Sequence, residues 1–386
     1  MGRINDLIKE MCPNGVEFKK LEDCCNILDN KRKPISKGIR EMGEYPYYGA
    51  NGIQDYINDY IFDGKYVLVG EDGSVQTPNG TPIVNWAIGK IWVNNHAHII
   101  EEIDGVSLKY LYHYLQIVDV KDLIHGNIPK LNQSNFRNIK IAVPPLEVQE
   151  EIVKILDKFD ELEAELEAEL EARKSQYEFW RGKLLGIDYE EHSIDSLCFK
   201  ISNVNWSKET NELKYIDLSS VNRENNTIEE TSIINSSNAP SRAKQIVNTN
   251  DILFGTTRPM LKRITIVSEK YDNQICSTGY CVLRPDLSKI LPEWLYFNLQ
   301  TSRYYNYVEN FQHGASYPSI SDTVVKNYKI PVPPIEKQKQ IIRVLDKFDN
   351  LINDITVGIP AEIELRRKQY EYYRNKLLSF EELINE

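Results

Sequence analysis

The sequence lacks any apolar run of the roughly 18 residues needed to cross a bilayer. Apolar residues make up 41% of the 386 and charged residues 27%, the composition of an ordinary soluble protein. The first residues are charged and amphipathic, without the apolar core of a secretory signal, and Asp6 stands where a myristoylation signal needs Ser or Thr. These absences predict a cytoplasmic protein without a membrane partner.

The sequence also lacks the ligand spacing of a metal site. None of the six cysteines forms a C-x-x-C pair, so no zinc site is predicted and buried free thiols are expected. His96 and His98 alternate along a predicted strand and could face one side as a metal pair. Without nearby Cys or acidic ligands, ordinary strand histidines are the favoured interpretation. We predict no metal and no cofactor bound by this chain.

Motifs of catalysis are missing as well. The sequence contains no G-x-x-x-x-G-K-[ST] phosphate loop, no glycine-rich nucleotide fingerprint after a predicted strand and no H-E-x-x-H zinc motif. The Asn-Pro-Pro-aromatic tetrad of amino-methyltransferases is absent, because both Pro-Pro pairs follow Val. No catalytic residue is therefore predicted. An enzyme that acts on DNA unaided stays open as an alternative that no motif supports.

Basic residues are in the minority. Lys and Arg number 46 against 57 Asp and Glu, which gives a net charge of −11. Residues 141–186 hold 12 acidic and six basic side chains, whereas residues 1–140 and 187–329 each carry a net charge of only −2. The two longer segments can therefore still present a basic face to nucleic acid.

What the sequence does contain is a long internal repeat. Residues 140–160 read KIAVPPLEVQEEIVKILDKFD and residues 329–349 read KIPVPPIEKQKQIIRVLDKFD, at a constant offset of 189. Each copy closes on a similar segment, QYEFWRGKLL at 176–185 and QYEYYRNKLL at 369–378. Two similar halves are predicted, each a globular block followed by a long helix.

The repeated Pro-Pro pairs at 144–145 and 333–334 indicate a hinge, with a helix that starts just after each pair. Apolar residues then recur at spacings of three, four and seven, which is typical of a coiled-coil face. A helix over residues 147–185 would be about 60 Å long, more than the diameter of a small block. We expect the two helices to pair with each other, and packing of each helix on its own block is the alternative.

The second helix contains four more residues than the first. Asp160 and Gln176 are 16 residues apart, whereas Asp349 and Gln369 are 20 apart, and the extra residues include Pro360. Proline cannot lie in a helix interior without a break. The second helix is therefore predicted to break or kink near Gly358 and to restart at Pro360.

Both blocks are predicted to be mixed α/β domains. Runs rich in β-branched and aromatic residues, divided by Gly, Asn and Pro turns, predict strands. They cover residues 66–69, 91–93, 98–100, 251–254 and 280–283. Late in each block, segments 125–131 and 313–320 resemble each other, whereas much of the rest diverges. This pattern favours one scaffold that presents two different reading surfaces.

Clusters of basic and polar residues with aromatics are the remaining functional signal. Lys and Arg neutralise phosphates, while Arg, Asn and Gln can pair with base edges. For any single residue, a solvated surface charge or a packed tyrosine is the alternative. As a set, the predicted DNA contacts are Lys31, Arg32, Lys33, Tyr48, Asn51, Lys130, Arg242, Lys244, Thr257, Arg258, Lys262 and Arg263.

The duplicated Val-Pro-Pro-(Leu/Ile)-Glu-x-Gln…Leu-Asp-Lys-Phe-Asp motif resembles the repeated helical region of type I restriction–modification specificity subunits. The resemblance covers the whole chain, and residues 46–52 and 94–98 are also similar to target-recognition domains of that family. It implies a non-catalytic subunit in which each block reads one half of a split DNA site in the major groove. The two helices would pair antiparallel and set the unread gap.

The resemblance implies an α+β fold: two globular α/β target-recognition domains separated by two long helices that form an antiparallel coiled coil, with an internal pseudo-twofold repeat. The break near Pro360 makes the helices unequal, so imperfect symmetry is expected. The expected domains are 1–143 and 187–332 for recognition and 144–186 and 333–386 for the spacer helices.

The resemblance also implies partners. They are double-stranded DNA, two methylation subunits that bind S-adenosylmethionine, and two motor–nuclease restriction subunits that use ATP and Mg. Near the end of each helix, three aromatics within four residues cannot all face one seam. Trp180 and Tyr373 are therefore predicted to dock the methylation subunits, with packing on the adjacent block as the alternative. A coiled-coil interaction scaffold without DNA specificity is the alternative function.

Overall fold

The chain forms two compact units, which are described separately. Unit 1 comprises Met1–Glu165 and Glu364–Glu386, and unit 2 comprises Leu166–Ile363. Among the described residues, no helix is both long and apolar enough to cross a membrane. The computed structural model describes residues 2–73, 75–186, 188–223, 225–353 and 358–383.

Unit 1 is built around one six-stranded sheet with the order β2-β7-β5-β6-β3-β4, in which β3 and β6 are parallel and the other neighbours antiparallel. In chain order its elements are α1 (Gly2–Met11), β1 (Glu17–Lys20), β2 (Asn26–Ile27), β3 (Met42–Gly49), β4 (Gly52–Ile57), β5 (Phe62–Gly70), β6 (Val84–Val93), β7 (Ala97–Glu101), α2 (Leu108–Leu115), β8 (Ile124–His125), β9 (Lys130–Leu131), α3 (Gln133–Arg137), β10 (Lys140–Val143) and α4 (Leu146–Leu185), which continues into unit 2. The three strands predicted in this block are confirmed, since they lie within β5, β6 and β7.

Unit 2 contains two four-stranded sheets, with the orders β12-β19-β16-β17 and β14-β13-β18-β15. In chain order its elements are β11 (Glu191–Ser193), α5 (Ile194–Leu197), β12 (Cys198–Phe199), β13 (Leu213–Ile216), β14 (Ser232–Ile234), β15 (Ala243–Val247), β16 (Ile252–Gly255), β17 (Ile264–Ile266), β18 (Gln274–Ser277), β19 (Tyr280–Pro285), α6 (Pro292–Asn298), α7 (Ser302–Phe311), α8 (Asp322–Asn327), β20 (Lys329–Pro331), α9 (Ile335–Asn353) and α10 (Ile359–Leu378), which continues into unit 1. Both strands predicted here are confirmed, although β16 begins one residue later than expected.

Four strands follow the same order in both units, β2-β7-β5-β6 in unit 1 and β12-β19-β16-β17 in unit 2. Their registers also correspond, because Gly70 at the end of β5 faces Ala97 and Gly255 at the end of β16 faces Tyr280. The loops that follow Gly70 and Gly255 are therefore structural equivalents. Beyond this core the units diverge: β3 and β4 extend the sheet of unit 1, whereas unit 2 adds a separate sheet.

The glutamine of each repeated Pro-Pro-x-Glu-x-Gln motif locks the hinge between block and helix. Gln149 is fully buried and accepts from Ser107 N at 2.9 Å, while its Nε2 donates to the carbonyls of Gly105 and Pro144 at 3.1 and 2.8 Å. Gln338 is also fully buried and repeats all three bonds, with Leu291 N at 2.9 Å, Lys289 O at 3.0 Å and Pro333 O at 2.8 Å. One side chain thus satisfies three buried backbone groups at each joint.

The long helices pack on each other, as the repeat predicted. In unit 1, Phe159 of α4 stacks on Tyr370 of α10 and packs at a tilt against Tyr373, and Glu163 pairs with Arg367 at 2.6 Å. Contact positions rise along α4 as they fall along α10, so this pair is antiparallel. In unit 2, Tyr177 on the second half of α4 stacks on Phe348 of α9 at a ring distance of 6.3 Å.

Each helix pair also belongs to the core of its block. Pairing of the helices with each other and packing of each helix on its own block, which were alternatives, therefore both occur. Val148, Ile152 and Leu156 of α4 lie in one buried cluster with Leu111 of α2 and Leu377 of α10. The α4 helix therefore buries one apolar stripe against both its block and its partner helix.

The second repeated helix is interrupted. The α9 helix ends at Asn353, Gly358 lies in a bend, and α10 starts at Ile359 with Pro360 as its second residue. Proline is tolerated there because the first-turn N–H groups have no intrahelical acceptor. The break near Gly358 is thus confirmed, with the restart one residue earlier than predicted; residues 354–357 lie outside those described.

The six cysteines are free thiols. Cys24, Cys25, Cys276 and Cys281 are buried as expected, whereas Cys12 and Cys198 are only partly buried. Burial raises the pKa of Cys24 to about 11 and that of Cys198 to about 12. These thiols therefore stay protonated near neutral pH and behave as small apolar side chains.

Candidate nucleic-acid interface

The predicted cluster Lys31–Lys33 contains one structural and two exposed side chains. The Arg32 side chain is only 11% exposed and donates to Glu71 Oε2 and to the carbonyl of Ala97, both at 2.6 Å. Lys31 and Lys33 are exposed. The prediction for Arg32 is corrected, because a buried guanidinium paired with a carboxylate is not available to a DNA phosphate.

Arg32 belongs to a buried network that also holds His98. Asp29 accepts from Ile99 N at 3.0 Å and lies 2.7 Å from His98 Nδ1, while His98 Nε2 lies 2.8 Å from the carbonyl of Leu131. Both ring nitrogens face acceptors, so the imidazole makes both bonds only when it carries both protons. Burial acts to raise the pKa of Asp29, but the hydrogen bond and charge of His98, with the charge of Arg32, hold that pKa below its usual value.

This network has the composition and the spacing of a possible metal site, but its ligand atoms already have partners in the protein. Ligand atoms of Asp29, Glu71 and His98 lie within 4.8 Å of one another. Arg32 already pairs with both carboxylates, at 3.4 Å from Asp29 and 2.6 Å from Glu71, and both ring nitrogens of His98 face acceptor oxygens. His96 lies in the turn before β7 and pairs with Asp72. The two histidines thus contact different carboxylates, and the expectation that no acidic residue lies near them is wrong.

Lys130 lies on the segment that the sequence showed as an echo between the blocks. Its ammonium lies 3.1 Å from Glu71 Oε1, and the neighbouring Pro129 carbonyl accepts from Gly73 N at 3.0 Å. The segment is therefore docked on the loop that follows β5. Lys130 remains half-exposed, but part of its charge compensates Glu71.

The β3–β4 hairpin separates Tyr48 from Asn51. Gly49 pairs with Gly52, whose φ of +97° suits glycine, so Ala50 and Asn51 form a two-residue turn with Asn51 exposed. Tyr48 is buried in the block, and burial raises its pKa. The prediction for Tyr48 is therefore corrected, because its ring is buried inside the block, whereas Asn51 lies at the tip of the hairpin.

In unit 2, the loop after β16 presents its cations freely. Arg258 and Lys262 adopt left-handed backbone angles, φ +49° and +55°, on either side of a short 3-10 turn. Arg258 N donates to the carbonyl of Pro318 at 2.7 Å, and its guanidinium lies 4.2 Å from the ring centre of the 70% exposed Tyr317. Strained backbone held by a neighbouring segment is typical of functional loops.

The neighbouring predicted residues are less accessible. Thr257 and Arg263 are half-buried, and the Arg263 Nε is buried without a hydrogen-bond partner among the described residues. Lys262 is exposed, with its ammonium 4.9 Å from the ring centre of Tyr305. Within this cluster, Arg258 and Lys262 are thus the groups best placed to meet an anionic ligand.

Arg242 and Lys244 lie at the edge of the second sheet of unit 2. Both are exposed, whereas Ala243 and Gln245 are buried, and Gln245 Nε2 donates to the carbonyls of Ser277 and Tyr280 at 3.0 and 2.8 Å. A register shift of β15 between Ala243 and Gln245 places Lys244 at a bulge. Bulges re-aim side chains at sheet edges, so both cations remain available to a ligand.

The helix-end aromatics divide between seam and surface. Trp180 and Phe179 pack edge to face at 5.4 Å and are 45% and 57% exposed. Tyr373 is half-buried against Phe159, whereas its neighbour Tyr372 is 60% exposed. Trp180 is therefore accessible, and Tyr372 is more exposed than Tyr373 because adjacent residues on a helix lie about 100° apart. Docking through Trp180 and Tyr373 stays a prediction, and Tyr372 is a further candidate.

Sequence reasoning missed the partners that the aromatic rings provide. Tyr317 was part of the echo segment, but nothing in the sequence indicated that it would lie beside Arg258. Likewise, Lys90 lies 4.7 Å from the ring centre of Tyr60 and 5.9 Å from that of Tyr45 in unit 1. Such cation–ring pairs join distant residues, so spacing alone could not show them.

Comparison with known proteins decides the family. Residues 13–172 and 187–365 both match the model of the type I restriction modification DNA specificity domain. The chain belongs to the specificity subunits of type I restriction–modification systems. The two matches correspond to the two halves of the repeat, and the predicted family is confirmed.

Full-length relatives support the assignment of the specificity subunit. The chain is 32% identical over 381 residues to a predicted type I restriction enzyme specificity subunit of Haemophilus influenzae, covering 95% of this chain and 96% of the relative. It is 29% identical over 303 residues to the EcoR124I/EcoR124II specificity subunit of Escherichia coli, covering 71% of each. The crystal structure of a specificity subunit from M. genitalium shares the fold, with a TM-score of 0.56 over 94% of this chain and 96% of that chain at 15% identity.

These comparisons confirm the main functional predictions. The chain is the non-catalytic specificity subunit of a type I system, with two DNA specificity domains. The predicted fold class, two α/β domains joined through long paired helices, is confirmed by the same family match and by the shared fold. A free-standing enzyme and a scaffold without DNA specificity are thereby excluded.

Proposed function

We propose that the two blocks read the two halves of a split DNA target independently. The observation that carries this proposal is a duplicated frame with different reading loops. The order of four core strands and the glutamine lock are the same in both units, yet the equivalent loops read Glu71-Asp72-Gly73 and Thr256-Thr257-Arg258. A duplicated frame would position each loop on its duplex in the same way, while a different loop would read different base edges.

Within unit 2, the proposed contacts centre on the loop after β16. Arg258 and Lys262 are exposed and form no ion pair with a described residue. Arg258 can pair with a guanine edge, and the exposed Tyr317 beside it can pack on a base or sugar. Thr257 and Arg263 support the loop, while Arg242 and Lys244 would contact backbone phosphates.

Within unit 1, the proposed contacts are Asn51 at the hairpin tip and the exposed Lys31 and Lys33. An asparagine side chain can make two hydrogen bonds to adenine, and the lysines suit phosphates. Lys130 would contribute only part of its charge, because Glu71 is 3.1 Å away. Unit 1 is therefore proposed to read bases through a protein surface that carries few net positive charges.

The helices are proposed to act as the spacer, with domain boundaries as predicted: 1–143 and 187–332 for the readers and 144–186 and 333–386 for the helices. The boundaries are supported by the end of β10 at Val143 and the start of α9 at Ile335. The 40 residues of α4 and the interrupted α9 and α10 would together set the unread gap between half-sites.

We further propose that the complete complex contains two methylation subunits and two motor–nuclease subunits, with S-adenosylmethionine, ATP and Mg bound by those partners. Trp180 and Phe179 in unit 2 and, as a separate docking point, Tyr372 in unit 1 are the proposed docking residues, since exposed aromatics are typical interface anchors. Replacing Trp180 and Tyr372 by Gln should abolish co-elution with the methylation subunit, whereas Tyr373→Gln should instead destabilise the helix pair. Intact complex with both surface changes would contradict this docking site. The cytoplasmic location remains a prediction, supported by the need to reach DNA.

Block exchange tests the main proposal. Residues 187–332 would be replaced by the corresponding block of a relative and expressed with the cognate methylation subunit, and methylated sites would be mapped in genomic DNA. One half of the methylated motif should change while the other half and the gap stay the same. The reciprocal exchange of residues 1–143 is the matched control, and a change of both halves in either chimera would overturn the proposal.

A further inference from the structure

Unit 2 contains a cavity of about 350 Å³ beside the second half of α4. Four of the side chains that line it are cationic and two are acidic. The cationic ones are Lys174, Arg181, Arg223 and Lys262, the acidic ones are Glu178 and Asp349, and the uncharged ones include Tyr177 and Tyr305. Cationic side chains thus outnumber acidic ones in the lining, although Lys174 is paired with Glu171 at 2.8 Å and Arg181 with Glu178 at 2.5 Å.

Three buried hydrogen-bond donors in this lining have no acceptor among the described residues. They are the hydroxyls of Tyr177 and Tyr305 and the Nε of Arg181, on side chains that are at most 7% exposed. Burial raises the pKa of both tyrosines, so both keep their protons at neutral pH. A buried donor without a partner destabilises the fold. The Nε of Arg374, the counterpart of Arg181 in unit 1, is likewise buried without a partner among the described residues, so the two tyrosine hydroxyls are what distinguishes this cavity. Two such hydroxyls beside one cavity indicate that an acceptor-rich group belongs there.

The other half of the repeat shows why Tyr177 has no partner. Its counterpart in unit 1 is Tyr370, whose hydroxyl lies 3.0 Å from His113 Nδ1. The corresponding position in unit 2 holds Phe297. The glutamines that follow confirm the correspondence, since Gln116 accepts from Arg374 at 2.6 Å and Gln300 accepts from Arg181 at 3.4 Å.

Arg181 is held in place while its Nε stays unpaired. Its Nη2 donates to the carbonyl of Gln300 at 2.9 Å and to Glu178 at 2.5 Å, and its guanidinium lies 5.0 Å from the ring centre of Tyr177. Lys262 adds a second cation, with its ammonium over the ring of Tyr305. A fixed guanidinium, two phenols and an ammonium form a preorganised donor set.

We infer that this cavity binds a phosphate group through Tyr177, Arg181, Tyr305 and Lys262. A phosphate supplies several acceptor oxygens and negative charge, which matches three unpaired donors in a cationic lining. The group could belong to the DNA backbone, because Lys262 is also a proposed DNA contact, or to free phosphate. The site does not depend on which bases the two blocks read.

The test measures binding of inorganic phosphate to the full chain by titration calorimetry, at ionic strength matched with chloride. Saturable binding is expected in the wild type. Tyr177→Phe and Tyr305→Phe each remove one oxygen and should weaken it by about tenfold or more, as expected for a hydrogen bond to a charged group. Without phosphate, both variants should be at least as stable as wild type, because each loses an unpaired buried hydroxyl.

Tyr370→Phe is the matched control, since its hydroxyl is already bonded to His113 in unit 1. It should leave phosphate affinity unchanged. Absence of saturable phosphate binding, or equal affinity in wild type and both cavity variants, would overturn the inference and leave the block-exchange proposal standing. Repeating the titration with duplex DNA identifies the source: competition assigns the site to a backbone phosphate, and simultaneous binding assigns it to free phosphate.

Discussion

The loops that follow β5 and β16 occupy the same position in the two units but carry opposite charges. In unit 1 the loop contains Glu71, which pairs with Arg32 and Lys130, and Asp72, which lies within hydrogen-bond distance of His96. In unit 2 the equivalent loop contains Arg258, which stacks on Tyr317 and forms no ion pair with a described residue. The same scaffold therefore supports a buried ion network in unit 1 and exposed cations in unit 2.

The difference shows where this repeat tolerates change. The groups that hold the frame are duplicated: Tyr110 donates to the carbonyl of Ala142 at 2.9 Å, and Trp294 donates to that of Pro331 at 3.0 Å. The loops beyond the strand ends share backbone bonds, such as Gly73 N to Pro129 O at 3.0 Å and Arg258 N to Pro318 O at 2.7 Å. Their side chains have different partners, because Glu71 pairs with Arg32 whereas the Thr256 hydroxyl donates to the carbonyl of Gly279. Specificity can thus vary at a strand end without cost to the hinge, because loop contacts and hinge contacts use different residues.

The largest expected effect is on the ion network of unit 1. Glu71→Gln leaves the buried Arg32 with one carboxylate fewer, and removal of one partner from a buried pair destabilises by about 3–5 kcal/mol. Thr256→Val at the equivalent position of unit 2 removes one hydrogen bond to Gly279, at 2.9 Å, and should cost about 1 kcal/mol. Hydrogen exchange would locate each loss in its own unit. Equal losses would show that the loops do not differ in this way.

The hinge glutamines should behave alike, in contrast to the loops. Gln149→Ala and Gln338→Ala each leave three backbone groups without their buried partner. Each should reduce the free energy of unfolding of its unit by about 1–3 kcal/mol or more. Urea unfolding followed by hydrogen exchange measures both. A large loss in one variant only would break the equivalence of the two joints.

The long helices and the hinges before them were predictable because their sequence motifs occur twice in the chain. The repeated Pro-Pro pairs, the apolar stripes and Pro360 gave the helices and their break, since each acts through local backbone geometry. The fate of individual site residues was not predictable. Arg32 and Lys33 are adjacent, yet one is buried by Glu71, which is 39 positions away in the chain, and the other is exposed. Tyr372 and Tyr373 differ for a similar reason, because α10 turns only one of them toward Phe159.

Loss of one cation from unit 2 and loss of one cation from unit 1 should affect DNA binding differently. Arg258→Ala is expected to weaken binding by about 1–3 kcal/mol at the cognate site and to relax one base position, if it makes a bidentate base contact. Lys33→Ala should weaken binding to all sequences evenly and reduce the salt dependence by about one phosphate contact. Fluorescence anisotropy on cognate and substituted duplexes at several salt concentrations separates the two. Identical, sequence-independent losses would place Arg258 on the backbone as well.

The smallest expected difference is in acid sensitivity, and it follows from Asp29. The carboxyl group has a lowered pKa in the folded state, because His98 and Arg32 outweigh the effect of burial. A carboxyl group of this kind contributes stability above its unfolded pKa of about 3.9, and the contribution is lost as pH falls through the lower folded value. Unit 1 should therefore lose stability below about pH 4, and Asp29→Asn should flatten that part of the profile while lowering stability at neutral pH. Hydrogen exchange of β5 and β7 peptides across this pH range measures the effect, with β16 and β19 of unit 2 as the internal control. If unit 1 of Asp29→Asn lost stability at low pH as steeply as wild type, this network would not determine the acid sensitivity of unit 1.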